Sequence, residues 1–399
     1  MDEGLRTRFA AHFGGVPDGT GTGFGRVNII GDHTDYNDGF VMPCILNHRT
    51  EVAIRVRPDR LLNGFSGAFG QAEIQMDAVP KGHWLAYAAG ALAVTADIGV
   101  PQVGIDLLVE STVPEGAGVS SSAAFGVALV RALCAAFSIP APPAQTVARL
   151  AQKIENSFIG LQCGIMDHMV SATGEARSAM HLDCRDLSYR LHSLPAGHVF
   201  LVIHSGSGRK LSEGIYNERV AECRAAAAAM GVASLRDADT AQIADIDDRL
   251  VRRRAQHVLS ENDRVNAAAQ ALVSGDVGTL GTLITASHKS LATDYEVSAA
   301  PLDILVKATL SAGALASRLT GAGFGGACVA LCRAGQAQEA AAAALAAYNK
   351  HGRQGRILIP VPTEQKGQQQ KKLFHCRYSK VAPSLAYVRL MLVGPSHKA

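Results

Sequence analysis

The stretch GRVNIIGDHTDYNDGF, residues 25–40, decides how the rest of the chain is interpreted. Its first half is apolar at positions 27, 29 and 30, which predicts a buried strand. Glycines at positions 31 and 39 disfavour an ordinary helix beyond that strand. Between the glycines stand Asp32, His33, Thr34, Asp35 and Asp38. Asp38 precedes Gly39 and is typical of a turn, but the crowding of the other polar groups calls for a functional explanation.

Length and composition indicate a globular protein. A chain of 399 residues, 48% hydrophobic and 18% charged, can bury a full core and form two domains or one two-lobed unit. Its eight cysteines are scattered without a CxxC pair, which predicts reduced core thiols. The N-terminus lacks an apolar signal segment, and no run of 18 apolar residues occurs. We therefore expect a cytoplasmic protein without a membrane partner.

The basic character of the chain belongs to its last 37 residues. Residues 363–399 hold seven Lys or Arg and one acid, Glu364. Residues 1–362 hold 31 basic and 34 acidic residues, a net charge of −3. The Gln-rich lead-in to the basic residues shows no helical repeat, so we expect an irregular tail and no nucleic-acid partner.

A second segment, IDLLVESTVPEGAGVSSSAAFGVALVRALCAAF, combines a strand, a Gly-Ser loop and a helix. Residues 103–109 alternate with the period of a strand, and the Ala-rich run after Ser122 favours a buried helix. Gly116 and Gly118 allow the backbone to approach an anion, and a helix N-terminus adds free N–H groups. The pattern is not a Walker A loop, since no Lys follows the glycines. It predicts either a phosphate site or a turn that caps a helix.

The third set of candidates lies between residues 147 and 169. Val147, Leu150 and Ile154 form one apolar face of a helix, and Glu155 follows its end. In GIMDHM, Asp167 stands among apolar neighbours after the flexible Gly164. This carboxylate has the character of a general base, although a helix N-cap is the alternative.

A further glycine-rich segment is SRLTGAGFGGACVALC, residues 317–332. Four glycines within six residues run into an apolar strand that starts at Ala327. The pattern predicts a tight hairpin or a loop packed against another backbone.

Together, these segments resemble the three motifs of the GHMP small-molecule kinases, and the first resembles the signature of the galactokinases among them. CGIMD at 163–167, YNERVAEC at 216–223 and DYEVS at 294–298 add to the resemblance. It implies a two-lobed α+β fold with the active site in the cleft between lobes 1–195 and 196–362. It also implies ATP-dependent phosphorylation of the anomeric 1-hydroxyl of α-D-galactose, with Mg²⁺.

The resemblance assigns roles by position. Asp167 would accept or orient the proton of the sugar hydroxyl, and Arg26 would stabilise the transferring phosphoryl group. The sugar would be lined by Asp32, His33, Thr34, Asp35, Gly164 and Tyr216. ATP would contact Gly116, Ala117, Gly118, Val119, Ser120, Ser121, Ser122, Ser66 and Trp84. Mg²⁺ would be held by Ser122 and Glu155.

Three positions depart from the family pattern. Asp32 replaces a Glu, His168 replaces a Gln, and WLAY at 84–87 replaces WxNY, so Trp84 is the weakest of these assignments, since a lone Trp is more typical of a core than of a nucleotide contact. Asp32 leaves open another sugar, such as arabinose, galacturonate or N-acetylgalactosamine. A non-catalytic regulator binding galactose and ATP is disfavoured because SSSAA at 120–124 is intact. We expect a monomer or weak homodimer.

Overall fold

The computed structural model describes residues 3–173, 175, 178–207 and 212–359. They form a two-lobed α+β fold, as the family resemblance implied. The strands are β1 (Gly19–Ile30), β2 (Phe40–Val56), β3 (Leu61–Ser66), β4 (Gly70–Gln75), β5 (Ile105–Ser111), β6 (Ser178–Asp183), β7 (Tyr189–Ser193), β8 (His198–His204), β9 (Ala316–Thr320), β10 (Ala327–Arg333) and β11 (Arg356–Ile359). The helices are α1 (Glu3–Phe13), α2 (Ala86–Thr95), α3 (Ser121–Ala136), α4 (Ala144–Ile154), α5 (Met166–Thr173), α6 (Ser212–Ala229), α7 (Arg249–Ser274), α8 (Val277–Thr293), α9 (Ala300–Ser311) and α10 (Ala337–Asn349). The expected irregular tail, residues 363–399, lies outside the described residues.

The first sheet is mixed and runs in the order β4-β3-β5-β2-β6-β7, with β1 paired to β2. Strands β2, β3, β5 and β6 share one apolar core with α2, α3, α4 and α5, and β4 packs against it. This core confirms the predicted apolar face of α4, whose Val147 and Ile154 are buried. Burying such a face is the main source of stability for a short helix.

Helix α3 lies directly on the backbone of β1. A Cβ atom at Gly19, Gly21 or Gly23 would lie 2.1–2.3 Å from the nearest backbone atom of α3. The three alternate positions of the strand that face the helix therefore carry no side chain. This close approach sets the position of the α3 N-terminus relative to β1.

The second sheet runs β11-β8-β10-β9, and the chain enters it between Ser193 and His198. One apolar core packs β8 and β10 against α9 and α10. Another core joins β1 and β2 of the first sheet to β8 and β10 of the second, with α7 and α8. Both lobes thus contact the strand that carries the opening motif.

The glycine-rich segment at 321–326 connects β9 to β10 as an antiparallel hairpin, so the hairpin prediction is confirmed. Its packing against another backbone is confirmed too, since a Cβ at Gly323 would lie 2.3 Å from the Val297 carbonyl oxygen. The Thr320 hydroxyl bridges to the backbone of Asn28, which fastens the hairpin to β1.

The cysteines of the described ranges behave as the sequence predicts. The seven cysteines in these ranges are free, and all but Cys163 are buried, which confirms the predicted core thiols there. Within the same ranges no helix has both the length and the hydropathy needed to cross a bilayer.

Candidate active site

Strand β1 meets three other segments of the chain: the turn 31–39, the loop before α3 and the start of α5. Arg26 projects from β1 and is 3% exposed. Its backbone N–H donates to the Val119 carbonyl at 3.1 Å, which ties the strand to the loop. The convergence therefore depends on contacts between residues far apart in the chain.

Arg26 and Asp167 form a bidentate ion pair. Arg26 Nε lies 2.7 Å from Oδ1 of Asp167, and Nη2 lies 2.7 Å from Oδ2. Nη1 donates to the Gly118 carbonyl at 2.8 Å, and the Ser120 hydroxyl donates to Oδ2 at 2.5 Å. The Asp167 side chain keeps 29% exposure, so a charge-assisted pair is presented at an open surface of the cleft.

The loop from 112 to 120 joins β5 to α3, which confirms the predicted order of strand, loop and helix. Gly116 and Gly118 have positive φ, as does Ser120 at +62°. Ser120 is the N-cap residue of α3 but makes no side-chain cap bond, because its hydroxyl bonds to Asp167. The first N–H groups of α3 thus keep their capacity for an anionic oxygen.

The two candidate nucleotide residues outside this loop lie near β3. Ser66 is buried at the strand's end. Trp84 stacks on the exposed Phe69, with ring centroids 6.0 Å apart and planes 14° apart. A Cβ at Gly64 would lie 2.5 Å from the Trp84 ring, so glycine makes room for the indole. The Trp84 Nε1 is buried without a hydrogen-bond partner among the described residues.

Asp35 is held in the cleft by the start of α5. Gly164 packs so closely against it that a Cβ there would lie 2.0 Å from Asp35 Oδ2. The backbone N–H groups of Tyr36 and Met166 hydrogen-bond the carboxylate. Burial, with the nearby charge of Asp167, raises the pKa of Asp35 to about 7. Two carboxyl groups with different environments thus face the same space.

An aromatic cluster closes the side of the cleft beside His33. The ring of His33 lies 5.8 Å from that of Tyr216 and 4.7 Å from that of Tyr295. Its Nδ1 is 2.8 Å from the Tyr36 hydroxyl, while its buried Nε2 has no partner among the described residues. Burial lowers the pKa of His33 well below its usual value, so the imidazole is neutral at pH 7.

Asp32 and Thr34 point into the protein. Both side chains are almost fully buried, and Asp32 pairs with Arg318 of β9. Asp32 Oδ1 also accepts from Asn28 Nδ2 at 3.0 Å and from the Gly321 N–H at 3.2 Å. The Thr34 hydroxyl lies within hydrogen-bonding distance of the Gly31 and Phe40 carbonyls. Burial raises the pKa of Asp32, and Arg318 opposes that rise.

The sequence interpretation did not single out Arg318, Tyr36 or Tyr295. Arg318 stands in the glycine-rich segment SRLTGAGFGG, and Tyr295 in DYEVS, so their motifs were the available signal. The structure shows that these three residues contact Asp32 or His33.

Glu155 is the first residue of a π-helical turn, Glu155–Ile159, that follows α4, and it is 3% exposed. The Tyr87 hydroxyl donates to its Oε1 at 3.2 Å, and Nε2 of His168 lies 3.2 Å from Oε2. Burial opposes ionisation, but His168 and the hydrogen bonds of Ser122 and Cys163 outweigh it and lower the pKa of Glu155 to about 2. The Glu155 carboxylate and the Ser122 hydroxyl thus lie side by side, which suits the preference of Mg²⁺ for oxygen ligands.

Comparisons with known proteins show which family the chain belongs to. The galactokinase galactose-binding signature matches residues 7–56, the GHMP kinases N terminal domain matches 85–175, and the GHMP kinases C terminal domain matches 268–351. A galactokinase of Chloroflexus aggregans is 41% identical over 366 residues, which cover 88% of this chain and 93% of that protein. A galactokinase of Streptomyces coelicolor is 39% identical over 340 residues, which cover 82% and 88%.

Solved structures give the same result. The galactokinase of Lactococcus lactis complexed with galactose has a TM-score of 0.82 and 31% identity, covering 89% of this chain and 96% of that chain. The mevalonate kinase of Methanococcus jannaschii, at 16% identity and a TM-score of 0.61, shares the fold.

Proposed function

Since the chain belongs to the galactokinase family of GHMP kinases, which makes it an ATP-dependent kinase of galactose, we propose that Asp167 and Arg26 are its catalytic pair. This proposal rests on their bidentate contact beside the loop before α3. Phosphoryl transfer needs positioning and charge stabilisation more than covalent chemistry from the protein. A carboxylate and a guanidinium at one open surface supply both.

Asp167 accepts or orients the proton of the anomeric 1-hydroxyl of α-D-galactose. Its exposed part faces the cleft, while its two oxygens are held by Arg26 and Ser120. Arg26 stabilises the negative charge of the transferring phosphoryl group and fixes the carboxylate in place. The product is galactose 1-phosphate, with ADP as the leaving group.

Residues 116–122 hold the phosphates of ATP through backbone N–H groups and serine hydroxyls. Supporting this, Gly116, Gly118 and Ser120 adopt positive φ at the N-terminus of α3. Ser122 and Glu155 hold Mg²⁺, which when bound neutralises phosphate charge. Trp84 and Ser66 lie near the adenine base of the bound ATP. Trp84 provides the apolar surface that the base needs.

The sugar hydroxyls are recognised by Asp35, His33 and Tyr216, with Gly164 leaving the space that Asp35 occupies. Asp32 and Thr34 act on the sugar site indirectly, because their polar groups already bind Arg318 and backbone carbonyls. Their role at the sugar is to hold the turn that presents His33 and Asp35. We also propose that the enzyme acts as a monomer or weak homodimer.

The test is ADP release with galactose, glucose, arabinose, galacturonate and N-acetylgalactosamine as acceptors, followed by phosphorus NMR of the product. We expect galactose to be the best substrate and the product to carry the phosphate on the anomeric carbon. A higher kcat/KM with arabinose would instead favour a pentose kinase. Galactose binding without turnover of any sugar would favour a regulator and contradict the proposed catalytic pair.

A further inference from the structure

Three different metal-binding side chains meet behind the phosphate loop: Glu155, Cys163 and His168. One donor atom from each lies within 4.8 Å of the others. Cys163 Sγ is 3.0 Å from Glu155 Oε2, and His168 Nε2 is 3.2 Å from the same oxygen. Donors around one tetrahedral zinc ion lie about 3.3 to 3.8 Å apart, given Zn–S of about 2.3 Å and Zn–N of about 2.0 Å. Small side-chain rotations bring this trio to that spacing.

His168 supplies an independent observation. Its side chain is completely buried, its Nε2 lies 3.2 Å from Glu155 Oε2 outside hydrogen-bond alignment, and its Nδ1 has no hydrogen-bond partner among the described residues. Buried polar groups are almost always hydrogen-bonded, so a buried imidazole left with one poorly aligned contact is costly. Its Nε2 is aimed at the space shared with Glu155 and Cys163. A ligand that accepts a nitrogen lone pair would satisfy it.

We propose that Glu155, Cys163 and His168 form a binding site for Zn²⁺ or a similar borderline-soft divalent cation. A thiolate, an imidazole and a carboxylate are all common zinc ligands, and three protein ligands leave a fourth position open. Binding replaces the proton of the Cys163 thiol by the Zn–S bond and requires an unprotonated His168 Nε2. The displaced protons pass to the buffer.

This site differs from the Mg²⁺ site proposed above but shares Glu155 with it. Mg²⁺ selects the oxygens of Ser122 and Glu155, whereas sulfur and nitrogen ligands select softer ions. Because both ions draw on one carboxylate, zinc bound there weakens the binding of Mg²⁺–ATP and inhibits the kinase. This inhibitory consequence rests on the proposed function, but zinc binding itself does not.

The experiment titrates Zn²⁺ into the metal-free full chain without nucleotide, by calorimetry and by competition with a chromogenic chelator. The site variants are Cys163→Ala and His168→Gln. The matched controls are Cys332→Ala, a buried thiol in β10, and His192→Gln in β7. We expect one tight equivalent in the parent protein and in both controls, and an affinity loss of at least about tenfold in each site variant. Equal affinity in site and control variants overturns the proposal.

A second measurement does not depend on any variant. Co²⁺ replaces Zn²⁺ in such sites and reports a thiolate ligand through a sulfur-to-metal charge-transfer band. The parent protein should show that band on binding one equivalent of Co²⁺, and its absence overturns the assignment of Cys163. Failure of the kinase assay with intact zinc binding contradicts the proposed function alone. Loss of zinc binding in an active kinase contradicts this inference alone.

Discussion

Arg26 and Asp167, separated by 141 positions in the chain, meet through two parallel N–H···O contacts of 2.7 Å each. A fork-to-fork contact fixes the plane of the carboxylate as well as its distance. Arg26 is almost fully buried, whereas Asp167 is partly open to the cleft. The buried partner therefore orients the accessible one.

Substitution of this pair should abolish most activity without unfolding the protein. We expect Asp167→Asn and Arg26→Lys each to lower kcat by about 10²- to 10⁴-fold, because each removes charge or geometry needed at the phosphoryl group. Asp77→Asn and Arg60→Lys are matched controls, since these residues form an ion pair on the exposed surface. Steady-state kinetics measure the loss, and circular dichroism checks the fold. A kcat within about twofold of the parent, the scatter expected of a peripheral substitution, would contradict the assignment.

Gly164→Ala should damage galactose binding. The new methyl group would lie 2.0 Å from Asp35 Oδ2, so the carboxylate must move out of its position. We expect KM for galactose to rise by about tenfold, equivalent to about 1.4 kcal/mol, with a smaller effect on KM for ATP. Gly214→Ala in α6 is the control, because no atom lies within 4 Å of its added Cβ. Equal KM values for the two variants would refute the role of Gly164.

Asp35 should make stability pH-dependent. Its pKa is about 7 in the folded protein, against the ordinary value of 3.8 in the unfolded chain. The folded state therefore binds this proton more tightly. The contribution to stability is fully present below pH 4 and is lost as the pH rises through about 7.

Asp35→Asn removes this dependence. The Tm of the variant relative to the parent should shift upward by about 2 °C or more between pH 5 and pH 8. Differential scanning calorimetry at both pH values measures the shift. Asp263→Asn, at an exposed position of α7, should show no such change between the two pH values. A shift in the opposite direction would show that Asp35 ionises readily in the folded state.

Asp32→Ala should be strongly destabilising. It leaves Arg318 buried and without its carboxylate, and Arg318 Nε and Nη1 already lack partners among the described residues. Breaking a buried ion pair in this way costs about 3–5 kcal/mol. The exposed Asp77→Ala should cost no more than about 1 kcal/mol in urea unfolding. Similar costs for the two variants would show that the Asp32–Arg318 pair is not a structural element.

Local sequence patterns predicted the strand before Ile30, the loop–helix order at α3 and the apolar face of α4, because these depend on residue periodicity. The partnership of Arg26 and Asp167 could be expected only through the family motifs, since no local pattern relates residues 141 positions apart. The inward orientation of Asp32 and Thr34 was not predictable. Whether a polar side chain faces a ligand or the protein depends on a distant partner, here Arg318 of the other lobe.

Gly19, Gly21 and Gly23 leave one face of β1 without side chains, and this has an evolutionary consequence. These residues are set apart from the proposed sugar and ATP contacts, yet each holds α3 at the distance from β1 that places Ser120 beside Asp167. Substitution of any of them by alanine would push α3 away from β1 and move Ser120 away from the Asp167 carboxylate. Selection on turnover should therefore act at three positions outside the proposed contacts, and inherited loss of activity can arise there with every assigned site residue intact.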